Sequence, residues 1–191
     1  MLSPAFSLRR ECTFACQWAN TLDYLHADDS IREAILSGGD PLAASDRQLG
    51  WLVEQLEAIP HLKRLRIHTR LPVVIPDRID EALLDWLGRT RLQKVVVLHI
   101  NHPNEIDEAV IDACRRLRGA GVTLLNQSVL LAGVNDDVPT LAALSERLFE
   151  ADVLPTTSMC SIQWKVLLIS RSTTLQRVCW STPCVASCQV F

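Results

Sequence analysis

Hydrophobic and polar positions follow two alternating patterns between residues 18 and 155. Short apolar runs, typical of buried strands, alternate with longer segments in which apolar residues recur every three or four positions, as on amphipathic helices. The run KVVVLHI at residues 94–100 has the composition of a strand buried on both faces. The pattern predicts strands at residues 34–36, 65–68, 94–100 and 122–129 and from 153, and helices at residues 18–27, 46–59, 78–87, 106–119 and 139–151.

This alternation of strand and helix predicts an α/β fold with a parallel sheet and crossover helices. Polar residues follow each of the first four predicted strands. Because parallel strands all end at the same edge of a sheet, these residues are expected to line one crevice. The clusters are Ser37-Gly38-Gly39-Asp40, His68-Thr69-Arg70, His99 with Asn101-His102-Pro103-Asn104-Glu105, and Asn126-Gln127-Ser128.

Each polar cluster also has a purely structural interpretation. The glycine pair could form a tight turn with Asp40 as an N-cap, Asn104 could cap the following helix, and His68 and His99 could be packing residues. Arg66 and Arg70 could be solvated strand residues. Two adjacent amides at a strand end need partners if they are buried. The convergence of four clusters on one edge favours the functional interpretation.

Composition narrows the class of protein. The chain has 191 residues, 48% hydrophobic content and a net charge of −3, which is typical of one globular domain and gives no electrostatic footprint for nucleic acid. No apolar run approaches the roughly 20 residues that cross a bilayer. Residues 1–14 lack the apolar core of a secretory signal. We therefore expect a cytoplasmic protein with neither nucleic acid nor membrane as a partner.

The cysteines lie mostly near the two ends of the chain. Of seven, only Cys114 lies in the long middle. Cys12 and Cys16 form C-x3-C, and Ala19 stands where a third thiolate would complete C-x3-C-x2-C. The spacing alone leaves open whether this is a metal site that lacks a ligand or no metal site.

Four motifs resemble the lysine 2,3-aminomutase family of radical S-adenosylmethionine enzymes: ILSGGDPL, IPHLKRLRIHTRLPVVIPDRI, HINHPNEI and LLNQSVLLAGVND. They occur in the family's order within residues 18–155. The version RLRIHTR most resembles the branch that makes (R)-β-lysine for modification of elongation factor P. The resemblance implies a partial TIM-type barrel of the radical S-adenosylmethionine kind, with about four of the family's six β/α units in this chain.

The resemblance also implies cofactors and their contacts. The family uses a [4Fe-4S] cluster held by three cysteines, S-adenosyl-L-methionine, and pyridoxal 5′-phosphate, which carries the substrate lysine. Ser37, Gly38, Gly39 and Asp40 match the family's S-adenosylmethionine loop. Four further residues match the face shared by S-adenosylmethionine and pyridoxal phosphate, and Arg70 matches an arginine facing the same cavity. Those four are His102, Asn104, Asn126 and Gln127.

Both ends of the chain depart from the family. Codons for residues 1–9 exist that, read from the second base, give the family's CFRRHFPY. Codons for residues 156–170 exist that, read one base earlier, give YYLHVLDPVEGAAHF. We therefore expect three segments: an out-of-frame segment at residues 1–17, the β/α domain at 18–155, and an out-of-frame tail without ordered structure at 156–191. A divergent two-cysteine site and ordinary divergence are the alternatives.

The same reasoning predicts what this polypeptide lacks. It contains no C-x3-C-x2-C, and Lys165 does not lie in the family's pyridoxal motif. We expect no catalytic residue or metal ligand in the chain, no aminomutase activity, and at most weak S-adenosylmethionine binding. Two alternatives remain. One is a non-catalytic remnant that binds S-adenosylmethionine or a partner such as elongation factor P, and the other is a fragment of an aminomutase acting on free lysine.

Overall fold

The computed structural model describes the backbone of residues 18–160 and the side chains of residues 18–156. In this part of the chain no helix is long and apolar enough to cross a membrane. The strands are β1 Glu33–Leu36, β2 Arg64–Thr69, β3 Gln93–Leu98, β4 Thr123–Leu130 and β5 Leu154–Cys160. The helices are α1 (18–27), α2 Asp46–Glu57, α3 Leu71–Val74, α4 Glu81–Arg89, α5 Glu108–Gly119 and α6 Val138–Glu150.

The five strands form one parallel sheet in the order β1-β2-β3-β4-β5. Successive strands are neighbours, and a helical segment connects each to the next. This is the strand order of an open β/α barrel, with four strand–helix units and a fifth strand among the described residues. The predicted α/β fold with a parallel sheet and crossover helices is confirmed.

The two faces of the sheet differ in burial. Leu65 and Ile67 of β2 point into the apolar core shared with the helices and are almost fully buried. The residues between them, Arg66 and His68, point to the opposite face and are only half-buried. On that opposite face Ile35 keeps 54% of its surface exposed. We call it the inner face, since it corresponds to the interior of a barrel.

Two predicted helix starts are wrong. The segments predicted to begin at residues 78 and 106 begin at Glu81 and Glu108, where the carboxylates of Asp80 and Asp107 accept hydrogen bonds from the backbone N–H groups of residues 83 and 110. The reason is that the prolines before them start separate 3-10 turns, Pro76–Arg78 and Pro103–Glu105. Asn104 therefore lies inside a turn and caps no helix.

Strand β5 continues past the predicted boundary at residue 155. Its backbone pairs with β4 as far as Cys160, opposite Leu130. The expectation of a tail without ordered structure is therefore wrong for residues 156–160, because parallel pairing uses backbone groups and depends little on side-chain identity. The rest of the predicted tail, residues 161–191, and the predicted segment 1–17 with Cys12 and Cys16 lie outside the described residues.

Candidate functional site

The loop after β1 leaves its backbone accessible. Gly38 and Gly39 have φ of +90° and +64°, a left-handed region that glycine enters without strain. A Cβ added to either would meet no heavy atom within 4 Å. The glycines are therefore required by the backbone conformation and not by crowding. With Ser37 also exposed, a ligand can approach the backbone of this loop closely.

Asp40 fixes this loop to the end of β2. Its Oδ1 accepts hydrogen bonds from the Leu42 backbone N–H at 3.0 Å and the Thr69 hydroxyl at 2.7 Å. Its Oδ2 accepts from the backbone N–H groups of Arg70 at 2.7 Å and Leu71 at 3.2 Å. The capping role predicted for Asp40 is thus observed. Because four protein donors occupy the carboxylate, Asp40 holds the site together and does not reach outwards.

Arg70 and Glu105 connect the loops after β2 and β3. The Arg70 guanidinium lies 3.2 Å from Glu105 Oε2, while Glu105 Oε1 accepts from the backbone N–H groups of Asn101 and His102, both at 2.9 Å. The Arg70 side chain is 53% exposed, so the ion pair itself contributes about 0–1 kcal/mol. Its effect is to set the position of the NHPNE segment relative to the glycine loop.

Within the NHPNE segment, His102 and Asn104 lie at the rim of the site. His102 Nδ1 accepts a hydrogen bond from the Asn104 backbone N–H at 3.2 Å, which orients the ring, and Asn104 is exposed. The segment is held from β4 as well. Asn101 Oδ1 accepts from the Val129 N–H at 2.8 Å, and Asn135 Nδ2 donates to the Asn101 carbonyl at 2.7 Å.

Asn135 is fully buried, and sequence reasoning did not assign it to the site. Its only signal was its place in the matched motif LLNQSVLLAGVND.

The adjacent amides Asn126 and Gln127 point to opposite faces of the sheet. Asn126 is 2% exposed, and its side chain accepts from the Ile100 N–H at 3.0 Å and donates to the Ile100 carbonyl at 3.1 Å. It thereby extends the β3–β4 pairing beyond its last backbone pair, Leu98 with Asn126. Gln127 faces the inner side, where its side chain hydrogen-bonds His68. Of the two, only Gln127 reaches the inner face.

Two histidines lie beside Gln127 on the inner face. The rings of His68 and His99 meet edge to face, with centroids 5.8 Å apart and planes at 76°. Burial lowers the pKa of both. The charge of His99 lowers the pKa of His68 further, whereas the Asp40 carboxylate opposes the shift at His99.

His99 Nε2 is buried and has no hydrogen-bond partner among residues 18–156. Both histidines lie in polar clusters that the sequence predicts at the crevice, but the family resemblance assigned neither to a cofactor, and a histidine at a strand end is also explained by packing.

The described residues fit one of the three cofactors implied by the motifs. S-adenosylmethionine carries an amine, a carboxylate and an adenine, whose polar atoms suit the accessible glycine backbone and the unpartnered His99 nitrogen. A cluster is different. Cys114 is the only cysteine of residues 18–156; it is buried on α5, and burial raises the pKa of its thiol to about 12. Among the residues that the structure describes, no three His, Cys, Asp or Glu side chains could hold a metal.

The pyridoxal aldehyde also finds no suitable amine here. The lysines of residues 18–156 are Lys63 and Lys94, in the loop before β2 and in the first half of β3. Their ammonium groups donate to the carbonyls of Pro60 and Ala120, at the end of the sheet opposite the glycine loop. The part of the chain that the structure describes therefore supplies neither cluster ligands nor a pyridoxal lysine.

No family model matches the chain. Among curated proteins, it is 58% identical over 138 residues to an L-lysine 2,3-aminomutase of Haemophilus influenzae, which covers 72% of this chain and 41% of that protein. The L-lysine 2,3-aminomutase of Clostridium subterminale is 42% identical over 134 residues, covering 70% and 32%. These similarities support the resemblance of the chain to the lysine 2,3-aminomutase family. A glutamate 2,3-aminomutase of Clostridioides difficile is 36% identical over 135 residues, covering 71% and 32%.

The chain spans about two fifths of the length of two lysine 2,3-aminomutases to which it is similar. It covers 41% of the protein from Haemophilus influenzae and 40% of the one from Escherichia coli. Among solved structures, a radical S-adenosylmethionine methyltransferase, TsrM from Kitasatospora setae, matches with a TM-score of 0.50 over 73% of this chain and 30% of its own. That structure contains cobalamin and a [4Fe-4S] cluster. At 17% identity the likeness concerns the fold alone. It agrees with the partial barrel seen here.

Proposed function

We propose that this chain is part of a radical S-adenosylmethionine lysine 2,3-aminomutase, which forms (R)-β-lysine, and that its strand-end loops bind S-adenosyl-L-methionine. The main support is the 58% identity to L-lysine 2,3-aminomutases. The geometry supports it independently, because accessible glycines and a buried histidine nitrogen that has no partner among residues 18–156 lie at the carboxyl ends of a parallel sheet.

The proposed binding residues divide into those that contact the cofactor and those that place them. The backbone of Ser37, Gly38 and Gly39 accommodates the methionyl part, and the side chains of the neighbouring loops line the rest. Those side chains are Arg70, His99, His102, Asn104 and Gln127. Asp40 and Asn126, whose hydrogen-bonding atoms are used within the protein, hold the loops in register. When bound to a reduced cluster, S-adenosylmethionine supplies the hydrogen-abstracting chemistry of this enzyme class.

The cluster cysteines and the pyridoxal lysine must come from sequence other than residues 18–156. We propose that residues 1–17 and the chain beyond residue 155 are translated out of frame, and that the neighbouring frames encode these groups. On this proposal the 191-residue chain alone has no aminomutase activity. Resequencing the DNA around both ends tests the idea: cluster and pyridoxal motifs in the adjacent frames support it, and frames without these motifs contradict it.

The most specific part of the proposal concerns the substrate and the pathway in which it is used. The segment from Arg64 to Arg70, RLRIHTR, favours the branch that serves elongation factor P over an enzyme for free lysine. One relative is a glutamate 2,3-aminomutase, so glutamate must be assayed as well. A frame-corrected protein with a reconstituted cluster is expected to convert L-lysine and leave L-glutamate unchanged. Conversion of glutamate instead would contradict the proposal. β-Lysine found on elongation factor P in cells that express it would distinguish the two lysine pathways.

Cofactor binding can be tested on the chain as it stands. We expect isothermal titration of the full chain with S-adenosylmethionine to give a dissociation constant weaker than about 10 µM, or roughly −7 kcal/mol. Tighter binding would favour a dedicated, non-catalytic binding protein. Gly39→Ala adds a Cβ to the accessible loop and is expected to weaken binding, whereas Gly88→Ala, on α4, is the matched control and should not. Equal affinity for all three proteins would contradict the proposed loop contact.

A further inference from the structure

His68 belongs to a row of three polar side chains on the inner face. It lies on β2, opposite Val97 of β3. His99 follows β3, and Gln127 lies on β4, beyond β3 in the sheet order. Three neighbouring strands or their ends thus each contribute one hydrogen-bonding side chain. His68 is paired with Val97, two residues before His99, and lies one residue before the end of β2, next to the loops that carry the candidate cofactor contacts.

His68 contacts the other two members of the row in different ways. Its ring meets the His99 ring edge to face at 5.8 Å between centroids, and its polar edge shares a hydrogen bond with the Gln127 side chain. Among residues 18–156, its side chain makes no hydrogen bond or ring contact with the glycine loop or the NHPNE segment. Its effect on a ligand bound by those loops would therefore pass through His99 and Gln127.

The hydrogen bond to Gln127 has a directional consequence. A glutamine amide has an oxygen that accepts and a nitrogen that donates, and rotation by half a turn exchanges them. When a fixed partner binds either the oxygen or the nitrogen of the amide, the direction of the other atom is determined as well. Burial and the nearby charges of His99 and Arg66 lower the pKa of His68, so the ring is neutral at physiological pH and has one donor and one acceptor nitrogen.

We infer that His68 is a positioning residue, which fixes the orientation of the Gln127 amide and of the His99 ring at the candidate cofactor site. This inference rests on the proposed function for the identity of the ligand, S-adenosylmethionine. The orientation of the two side chains itself is independent of any ligand.

The first arm of the test uses the full chain without ligand. His68→Phe keeps a ring edge against His99 and removes the hydrogen bond, and His68→Gln restores an amide able to make it. In NMR spectra we expect the Gln127 side-chain amide resonances to shift in the Phe variant and to return towards the native positions in the Gln variant. Unchanged Gln127 resonances in His68→Phe would overturn the inference, whether or not the chain binds S-adenosylmethionine.

The second arm measures S-adenosylmethionine affinity. We expect His68→Phe to weaken binding about tenfold, which corresponds to the contribution of roughly one hydrogen bond. His68→Gln should recover most of the lost affinity. His61→Phe is the matched control, because His61 Nε2 donates to the Leu25 carbonyl at 2.9 Å, in the loop before β2. Native affinity in a folded His68→Phe protein would overturn the inference. Absence of binding by the native chain would contradict the proposed function instead, and the first arm would then decide the inference.

Discussion

The two ends of the sheet use polar side chains differently. At the amino ends of the strands, Arg91 donates to the carbonyls of Glu57, Ile59 and Leu62, at distances between 2.6 and 3.1 Å. The Glu57 carboxylate in turn accepts from the Thr90 hydroxyl at 2.8 Å. These contacts join the loop that follows α2 to the loop that follows α4.

At the carboxyl ends, polar side chains also join the loops, but some hydrogen-bonding capacity remains. Asp40, Glu105 and Asn126 are fully used, whereas the glycine backbone is open and His99 Nε2 has no partner among residues 18–156. The amino ends of the strands thus contribute to stability, whereas the carboxyl ends can also bind a ligand, as expected for parallel β/α folds. Substitutions at the two ends should therefore have separable effects.

The largest expected effect is on stability at the carboxyl end. Asn126→Leu removes the acceptor and the donor that satisfy Ile100, leaving its buried N–H and carbonyl without partners. At about 1–3 kcal/mol for an unsatisfied buried group, we expect a loss of about 3 kcal/mol in the free energy of unfolding. Urea denaturation measures it, and Asn104→Ala, at an exposed asparagine, is the control. A loss no larger than that of the control would show that Asn126 has no structural role.

A somewhat smaller effect is expected at the amino end. Arg91→Met keeps the aliphatic stem but removes the guanidinium that serves three carbonyls. We expect the free energy of unfolding to fall by about 2 kcal/mol, while the affinity of the folded fraction for S-adenosylmethionine stays unchanged. Urea denaturation and calorimetric titration check the two parts. A loss of S-adenosylmethionine affinity in Arg91→Met would show that the amino and carboxyl ends of the sheet do not have separable effects.

The two glycine variants should change stability in opposite directions. Gly39→Ala forces a side chain into the left-handed region and is expected to cost about 1 kcal/mol. Gly88→Ala lies inside α4, where alanine is the better helix former and an added Cβ meets no atom within 4 Å, so it should stabilise by up to about 1 kcal/mol. Thermal or urea unfolding of both proteins decides the signs. Equal changes would mean that the conformation of the loop after β1 is not the one described here.

The smallest expected effect is a dependence of stability on pH. His68 faces Arg66, Glu33, His99 and Gln127, and His99 faces Asp40 and Arg70; the pKa of both rings is lowered on folding, chiefly by burial. Well above a pH of about 6.5 both rings are neutral in the folded and in the unfolded chain, so their protonation takes nothing from the free energy of unfolding. Below about pH 6.5 these rings bind protons in the unfolded chain before they do so in the folded chain. The free energy of unfolding should therefore fall as the pH drops below about 6.5 and level off below the folded pKa values. The double variant His68→Gln/His99→Gln should flatten this decline, and an unchanged decline would contradict the assignment.

The sequence was informative where a single physical rule dominates. Apolar runs and helical periodicity gave every strand and most helices, because burial on the sheet determines both. The starts of α4 and α5 were missed, since a proline fits the first turn of an α-helix and of a 3-10 turn equally well. The later aspartate caps decided between them.

The site was predicted only in part. The period of two in a strand already implies that Asn126 and Gln127 face opposite sides, yet the matched motif placed both at the cofactor. The contact of His68 with Gln127 crosses β3 and depends on register, which a sequence read strand by strand does not contain. Asn135 likewise acquires its role through a fold contact, with Asn101 thirty-four residues away.

The proposed binding of S-adenosylmethionine by the strand-end loops is tested most directly by mapping the binding site along the backbone. Titration of the isotope-labelled full chain to about 1 mM, a concentration that reveals affinities near −4 kcal/mol, would be followed in amide NMR spectra. We expect shifts at residues 37–40, 99–105 and 127, with residues 57–63 and 90–94 unaffected. Shifts confined to the amino-end loops, or none at all, would contradict the proposed binding.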